Sequence, residues 1–106
     1  MLILPTKGKW FRMILDGVKT EEYREIKPYY TKRFQTIGLL DDYGLPKVNK
    51  AKVIFRNGYS GNAPSFVANV SLDIKTGRKE WGAETGKEYY ALRIHQVWKG
   101  GACDER

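Results

Sequence analysis

The clearest periodicity in the chain lies between residues 66 and 74. There Phe66, Ala68, Val70, Leu72 and Ile74 alternate with largely polar neighbours, the two-residue period of a half-buried β-strand. A second alternation, with Tyr90, Leu92, Ile94, Gln96 and Trp98 on one face, predicts a strand over 88–98, and AKVIFR at 51–56 predicts another. The first half reads differently. Met1–Pro5 is a short apolar strand, and Trp10, Met13 and Ile14 then recur at helical spacing with Phe11 and Leu15 beside them. Thr6 is the expected cap of that helix, which runs to about Asp16 and ends at Gly17. Residues 19–26 read as a charged strand, with Thr20, Glu22, Arg24 and Ile26 on one face and Lys19, Glu21, Tyr23 and Glu25 on the other. Pro28 opens a second helix whose stripe is Tyr30, Phe34 and Ile37, closed by Gly38.

Turn chemistry separates these elements. Residues 39–50 form a loop broken by Asp41, Asp42, Gly44 and Pro46, with Leu39, Leu40 and Leu45 expected to tack it down. Asn57-Gly58 opens a glycine-bearing loop over 57–65, residues 75–78 turn, and a stretch with Trp81, Gly82 and Gly86 leads to the last strand. Two helices inserted early, followed by several strands, is not the alternating pattern of a parallel sheet. The pattern predicts an α+β fold around a mainly antiparallel, curled sheet with two flanking helices. It occupies residues 1–99 as a single domain, with 100–106 expected as a flexible C-terminal tail.

Composition narrows the chemistry. A net charge of +7 is unevenly spread: residues 1–60 hold twelve Lys or Arg against six Asp or Glu, and the remainder is nearly balanced. A positive face of this kind attracts polyanions. One cysteine, Cys103, and one histidine, His95, leave no internal disulfide and no thiolate or histidine metal site, so no cofactor is expected. The N-terminal MLILPTKGKWF lacks the basic lead-in of a signal peptide, and no apolar run spans a bilayer; the expected location is cytoplasmic, with no membrane partner.

The stretch Gly17-Val18-Lys19-Thr20-Glu21-Glu22-Tyr23-Arg24 carries the candidate chemistry. Glu22 and Arg24 are two residues apart on one strand face. Side by side they offer an acceptor and a fork of donors, suited to a base edge or a phosphate, or else they form a simple ion pair at the rim. The spacing Gly-x-Lys-x-x-Glu-x-Arg after a helix resembles the ASCH (activating signal cointegrator homology) family, and the resemblance covers the folded chain. It implies a PUA-like β-barrel and RNA as the default partner. One branch of that wider group removes an acyl group from a modified cytidine with a lysine, a threonine and a glutamate. Lys19 matches the lysine, whereas Glu22 stands where that branch has its threonine and Thr20 is at the wrong offset. Another branch cuts single-stranded RNA, with lysine among its key residues. By that resemblance Lys19 would stabilise phosphorane charge and Glu22 would act as base, with a divalent metal as an option.

A second candidate is the loop carrying Arg56, Asn57, Tyr59 and Asn62, where Tyr59 would stack on a base and the amides would bond its edge. Lys32 and Arg33, with Lys47, Lys50 and Lys52, are candidate phosphate contacts. Trp10 is expected in the core or, less simply, as a stacking face; Trp81 as a stacking face or a lid; His95 as a surface or hydrogen-bonding sheet residue. Three functions remain open: a nucleic-acid binding module, an RNA-directed hydrolase using Lys19 and Glu22, and a domain whose positive face docks an acidic protein.

Overall fold

The computed structural model describes residues 1–99 and the backbone of 102–105. Its elements are β1 (Leu2–Thr6), α1 (Gly8–Leu15), β2 (Glu21–Arg24), α2 (Pro28–Thr36), β3 (Ala51–Asn57), β4 (Ser65–Thr76), a 3₁₀ turn (Lys79–Trp81), β5 (Glu88–Lys99) and β6 (Ala102–Glu105). The strands form one curled, half-barrel sheet in the order β1-β3-β4-β5-β2. β1 runs parallel to β3, and every other pairing is antiparallel. The fold is therefore α+β with a mainly antiparallel sheet. No helix among the described residues is long and apolar enough to cross a membrane.

The two-residue period fills the concave side. Leu4, Val53, Phe55, Phe66, Ala68, Val70, Leu72, Tyr90, Leu92 and Ile94 are all buried there. The helices complete the core with few residues: Phe11 of α1 sits 5.0 Å from the Phe66 ring, and Phe34 of α2 meets Tyr90 edge-on at 5.4 Å. Pro28 opens α2 and Gly38 follows its end with φ 80°.

Several expectations are corrected. Thr6 does not cap α1; Lys7 occupies that position without a side-chain cap, and Thr6 is buried at the end of β1. Of the loop leucines, Leu39 and Leu40 are buried, but Leu45 is 57% exposed because its carbonyl, not its side chain, holds the turn through the Asp41 N–H. Residues 75 and 76 extend β4 instead of turning. The strict alternation predicted along 90–98 breaks at His95. Val70 pairs with Ile94 and Asn69 with Gln96, so His95 is an extra residue, a β-bulge that resets the faces. Beyond it Val97 points into the core, and Gln96 and Trp98 are only half-buried. The tail expected to be frayed supplies β6, which pairs with Gln96–Lys99 on the same edge of β5 that β2 uses farther along; residues 100, 101 and 106 lie outside the described residues.

Tyr23 locks the following turn to β2. Its hydroxyl donates to Glu21 Oε1 (2.8 Å) and accepts from the Arg78 N–H (3.0 Å), and its ring leaves no room for a Cβ at Gly77, which would lie 2.7 Å away. Burial, opposed by the Arg78 N–H and helped by Glu21, pushes the phenol up to about 12. The unfolded chain then ionises first, near the ordinary tyrosine value of 10.0. This contribution to stability is complete below that pH and is lost as pH rises towards about 12. Urea unfolding across this window should show a steeper loss for the native chain than for Tyr23→Phe; parallel curves would contradict it. In the core, Phe55→Ala should cost about 3–5 kcal/mol by the same assay, since Phe55 is fully buried against Phe66.

Candidate functional site

The half-barrel is open between its two end strands. No ladder joins β1 to β2 among the described residues, and side chains bridge the gap instead. The register explains which ones. Glu22 lies opposite Leu92 and Arg24 opposite Tyr90, so both carry charge on a face that is otherwise apolar. Glu22 Oε2 accepts from Arg24 Nη2 at 2.8 Å, and the same nitrogen donates to Thr6 Oγ1 across the opening at 3.1 Å. Arg24 Nη1 reaches the Tyr30 hydroxyl of α2 at 3.3 Å. One guanidinium thus ties β2, β1 and α2 together.

Lys19 joins this chain from the helix exit. Gly17 adopts φ 81°, open to glycine at little steric cost, and the N–H groups of Val18 and Lys19 both return to the Met13 carbonyl at 3.0 Å. Regular strand geometry starts only at Glu21, so the expected alternation does not govern Lys19. Its Nζ meets Glu22 Oε1 at 2.5 Å instead of facing away, and lies 4.4 Å from the centre of the Trp10 ring. Lys19 is only 2% exposed. Burial draws its ammonium below the ordinary lysine range; Glu22 opposes that shift and the Arg24 charge adds to it.

Above this floor lies a cleft of about 400 Å³, within the range of small-molecule sites. Trp10, Tyr23, Tyr30 and Tyr59 supply aromatic surface, and Lys7, Arg24 and Lys27 supply cations. The Gly58 N–H donates to the Thr6 carbonyl at 3.0 Å, which anchors the base of the 57–62 loop at the cleft and leaves Tyr59 89% exposed. Trp10 is half-buried between Lys19 and Gly82, where a Cβ would lie 3.1 Å from the indole; it is a cleft wall more than a core residue.

Of the residues singled out from the sequence, the fold brings Lys19, Glu22, Arg24 and Tyr59 together. Thr20 lines a separate small cavity with Glu21 and Trp81. Asn57 ends β3 with its amide against Gly8, and its N–H donates to Pro64, so it closes the loop base. Arg56 is half-buried outside the cleft lining, Asn62 is exposed on the loop, and Lys32 is exposed on α2. Arg33 packs on the Tyr29 ring at 3.6 Å and donates to its carbonyl. Lys47 and Lys50 border a groove on the opposite face of the sheet, and Lys52 lies over Trp98. Thr6, Lys7, Lys27 and Tyr30 were not singled out as ligand contacts. A hydroxyl two residues before Gly8, or a lysine before Pro28, carries no periodic signal of a site.

Comparison with models of known families, with curated proteins and with solved structures finds no match to this chain.

The floor makes a stability prediction. Glu22→Gln leaves Lys19 and Arg24 as buried cations without a carboxylate and should cost about 3–5 kcal/mol in urea unfolding. Adding Lys19→Met to Glu22→Gln should recover part of that loss, because one stranded charge is gone. Strict additivity of the two changes would show that the pair is not coupled.

Proposed function

We propose that the chain is an ASCH-type, PUA-like domain whose cleft binds a nucleotide unit of single-stranded RNA or a modified nucleotide. One observation carries the reading. The buried floor holds two cations, Lys19 and Arg24, against one carboxylate, Glu22, so one positive charge is left over beneath aromatic walls. Excess charge in a desolvated place favours an anion more than an exposed lysine does. Arg24 Nε is in addition buried with no hydrogen-bond partner among the described residues, a donor that is costly to leave open. A phosphate near Lys7, Lys27 and Arg24 with a base against Tyr59 or Trp10 uses each of these groups. Glu22 then serves to order the two cations and to accept a base donor at its remaining lone pairs.

A second reading, an RNA-directed hydrolase, is favoured by the depressed Lys19 and its contact with Glu22. Lysines tuned in this way serve as bases or charge stabilisers. At 2% exposure, Lys19 would act on a substrate only after Glu22 or Trp10 moved aside. A domain docking an acidic protein uses the same positive face but leaves the aromatic walls without a role.

Labelled single-stranded RNA, read by gel shift and by denaturing gel with and without Mg²⁺ or Mn²⁺, tests both. Tyr59→Ala should weaken RNA binding roughly 5- to 150-fold, the effect of losing one stacked base. Lys27→Ala should make affinity less steep in salt by roughly 0.7 in log–log slope. Unchanged binding in both variants would refute the cleft as the RNA site. Cleavage that vanishes in Lys19→Met would select the hydrolase instead.

A further inference from the structure

Alternation along β2 sends Glu21 to the opposite side of the sheet from Glu22, and that convex side has a site of its own. A groove of about 820 Å³ runs over the outer faces of β4 and β5. Ser71, Asp73, Arg93 and His95 lie along its floor, and Lys47 and Lys50 stand in the 46–50 loop that walls it. The wall is tied in place. The Lys47 N–H donates to the Leu39 carbonyl (3.0 Å), Asn49 Nδ2 donates to the Gly38 carbonyl (3.1 Å), and Leu40 bridges to Pro46. Two lysines are thereby presented to the sheet from a braced segment.

Their charges are not spent within the fold. Lys75 pairs with Glu21, whereas Lys47, Lys50 and Arg93 make no ion pair with any described residue. The remaining groove carboxylate, Asp73, accepts from the Ile74 N–H at 2.9 Å. At the centre the bulge residue His95 holds Nε2 at 2.7 Å from Ser71 Oγ. A guanidinium fork, two unpaired ammonium groups, a hydroxyl and an imidazole therefore line one groove, where among the described residues the cations Lys47, Lys50, Lys75 and Arg93 outnumber the carboxylates Glu21 and Asp73. The cationic path also continues. A smaller cavity of about 180 Å³ shares Glu21, Lys75 and Arg93 with the groove and adds Arg78, whose guanidinium lies 4.8 Å from the Trp81 ring. The shared residues join the two cavities, and the smaller one brings an aromatic face beside the cations.

We propose that the convex groove is a second phosphate-binding site, separate from the cleft, which takes the phosphodiester backbone of a single-stranded nucleic acid. Lys50 and Arg93 contact phosphate, Ser71 donates to it while accepting from His95 Nε2–H, and Trp81 offers a base a stacking face. The site stands whether or not the cleft holds a nucleotide.

His95 reports occupancy. Partial burial, then Lys50 and Arg93, hold its imidazole below the ordinary histidine value in the free protein. Among the described residues, Lys47 from the loop, Asp73 and Lys75 from β4, and Glu21 from β2 are the other charged groups that line its groove. An anion between Lys50 and Arg93 should raise the His95 pKa.

The test is an NMR titration of the His95 ring with a short single-stranded RNA and, separately, with inorganic phosphate. It is run on the native chain, on Tyr59→Ala and on Lys50→Ala/Arg93→Ala. RNA should shift the ring signals and raise the pKa in the native chain and in Tyr59→Ala alike, and not in the double variant. The double variant should also lose roughly 1.4 in the log–log salt slope of RNA affinity, about 0.7 per phosphate contact. Lys50 and Arg93 are exposed, so the fold should persist, as a native-like amide spectrum would verify. A His95 response to inorganic phosphate but not to RNA would overturn the phosphodiester assignment. A response to neither, an unchanged salt slope, or an RNA response abolished by Tyr59→Ala would overturn the site.

Discussion

A charged side chain facing the concave side of a sheet must find partners there or forfeit its hydration, and this chain places two on adjacent inward positions of β2. Glu22 spends one carboxylate oxygen on Lys19 and the other on Arg24, so neither lone-pair set is stranded. Arg24 spends its second nitrogen on Tyr30, and Lys19 rests over the Trp10 ring. Much of the surrounding geometry follows. Gly17 must turn the chain sharply for Lys19 to reach Glu22, and Thr6 must stay free of a capping role to accept from Arg24. α2 must bring Tyr30 within reach. A buried chain of this kind is a poor source of net stability compared with apolar packing. It sits where no ladder joins β1 to β2 among the described residues, so side chains and not backbone pairing hold that opening.

The same strand periodicity that turns Glu22 and Arg24 inward turns Glu21, half-buried, to the convex side, where Arg93 is exposed. The sheet thus separates two surfaces of different character. The concave opening is small, walled by aromatic rings and backed by buried charge; the convex groove is about twice its volume and lined by exposed cations. The bulge at His95 connects the two. By inserting one residue it keeps Ile94 and Val97 in the core and sets the imidazole beside Ser71. A strict alternation would have turned Gln96 and Trp98 inward and left Val97 outside.

Burial also separates roles among the cations. Lys19 is almost inaccessible, so its charge acts through Glu22 and the field at the cleft floor, while Lys7 and Lys27 can touch a ligand directly. Screening follows the same division: interactions of the rim lysines weaken with salt far more than those of the buried pair.

The local elements were legible in the chain. The alternation from Phe66 to Ile74, the Trp10-Met13-Ile14 spacing, Gly17, Pro28 and the Asn57-Gly58 turn each encode backbone conformation through steric and hydrophobic preferences that act within a few residues. So did the shared face of Glu22 and Arg24, since a two-residue spacing decides it. What joins the elements was not legible. Lys19 precedes the strand, and its partner depends on how the helix exit is aimed; Thr6 reads as a cap until Arg24 arrives from another strand. The bulge at His95 follows from fitting β5 to β4, and the separation of Asn57, Arg56, Asn62, Lys32 and Arg33 from the cleft follows from the curl of the sheet. Periodicity states which face of its own element a residue occupies. Curvature, register and the closing of distant strands decide what that face meets, and those are set by packing the whole core at once.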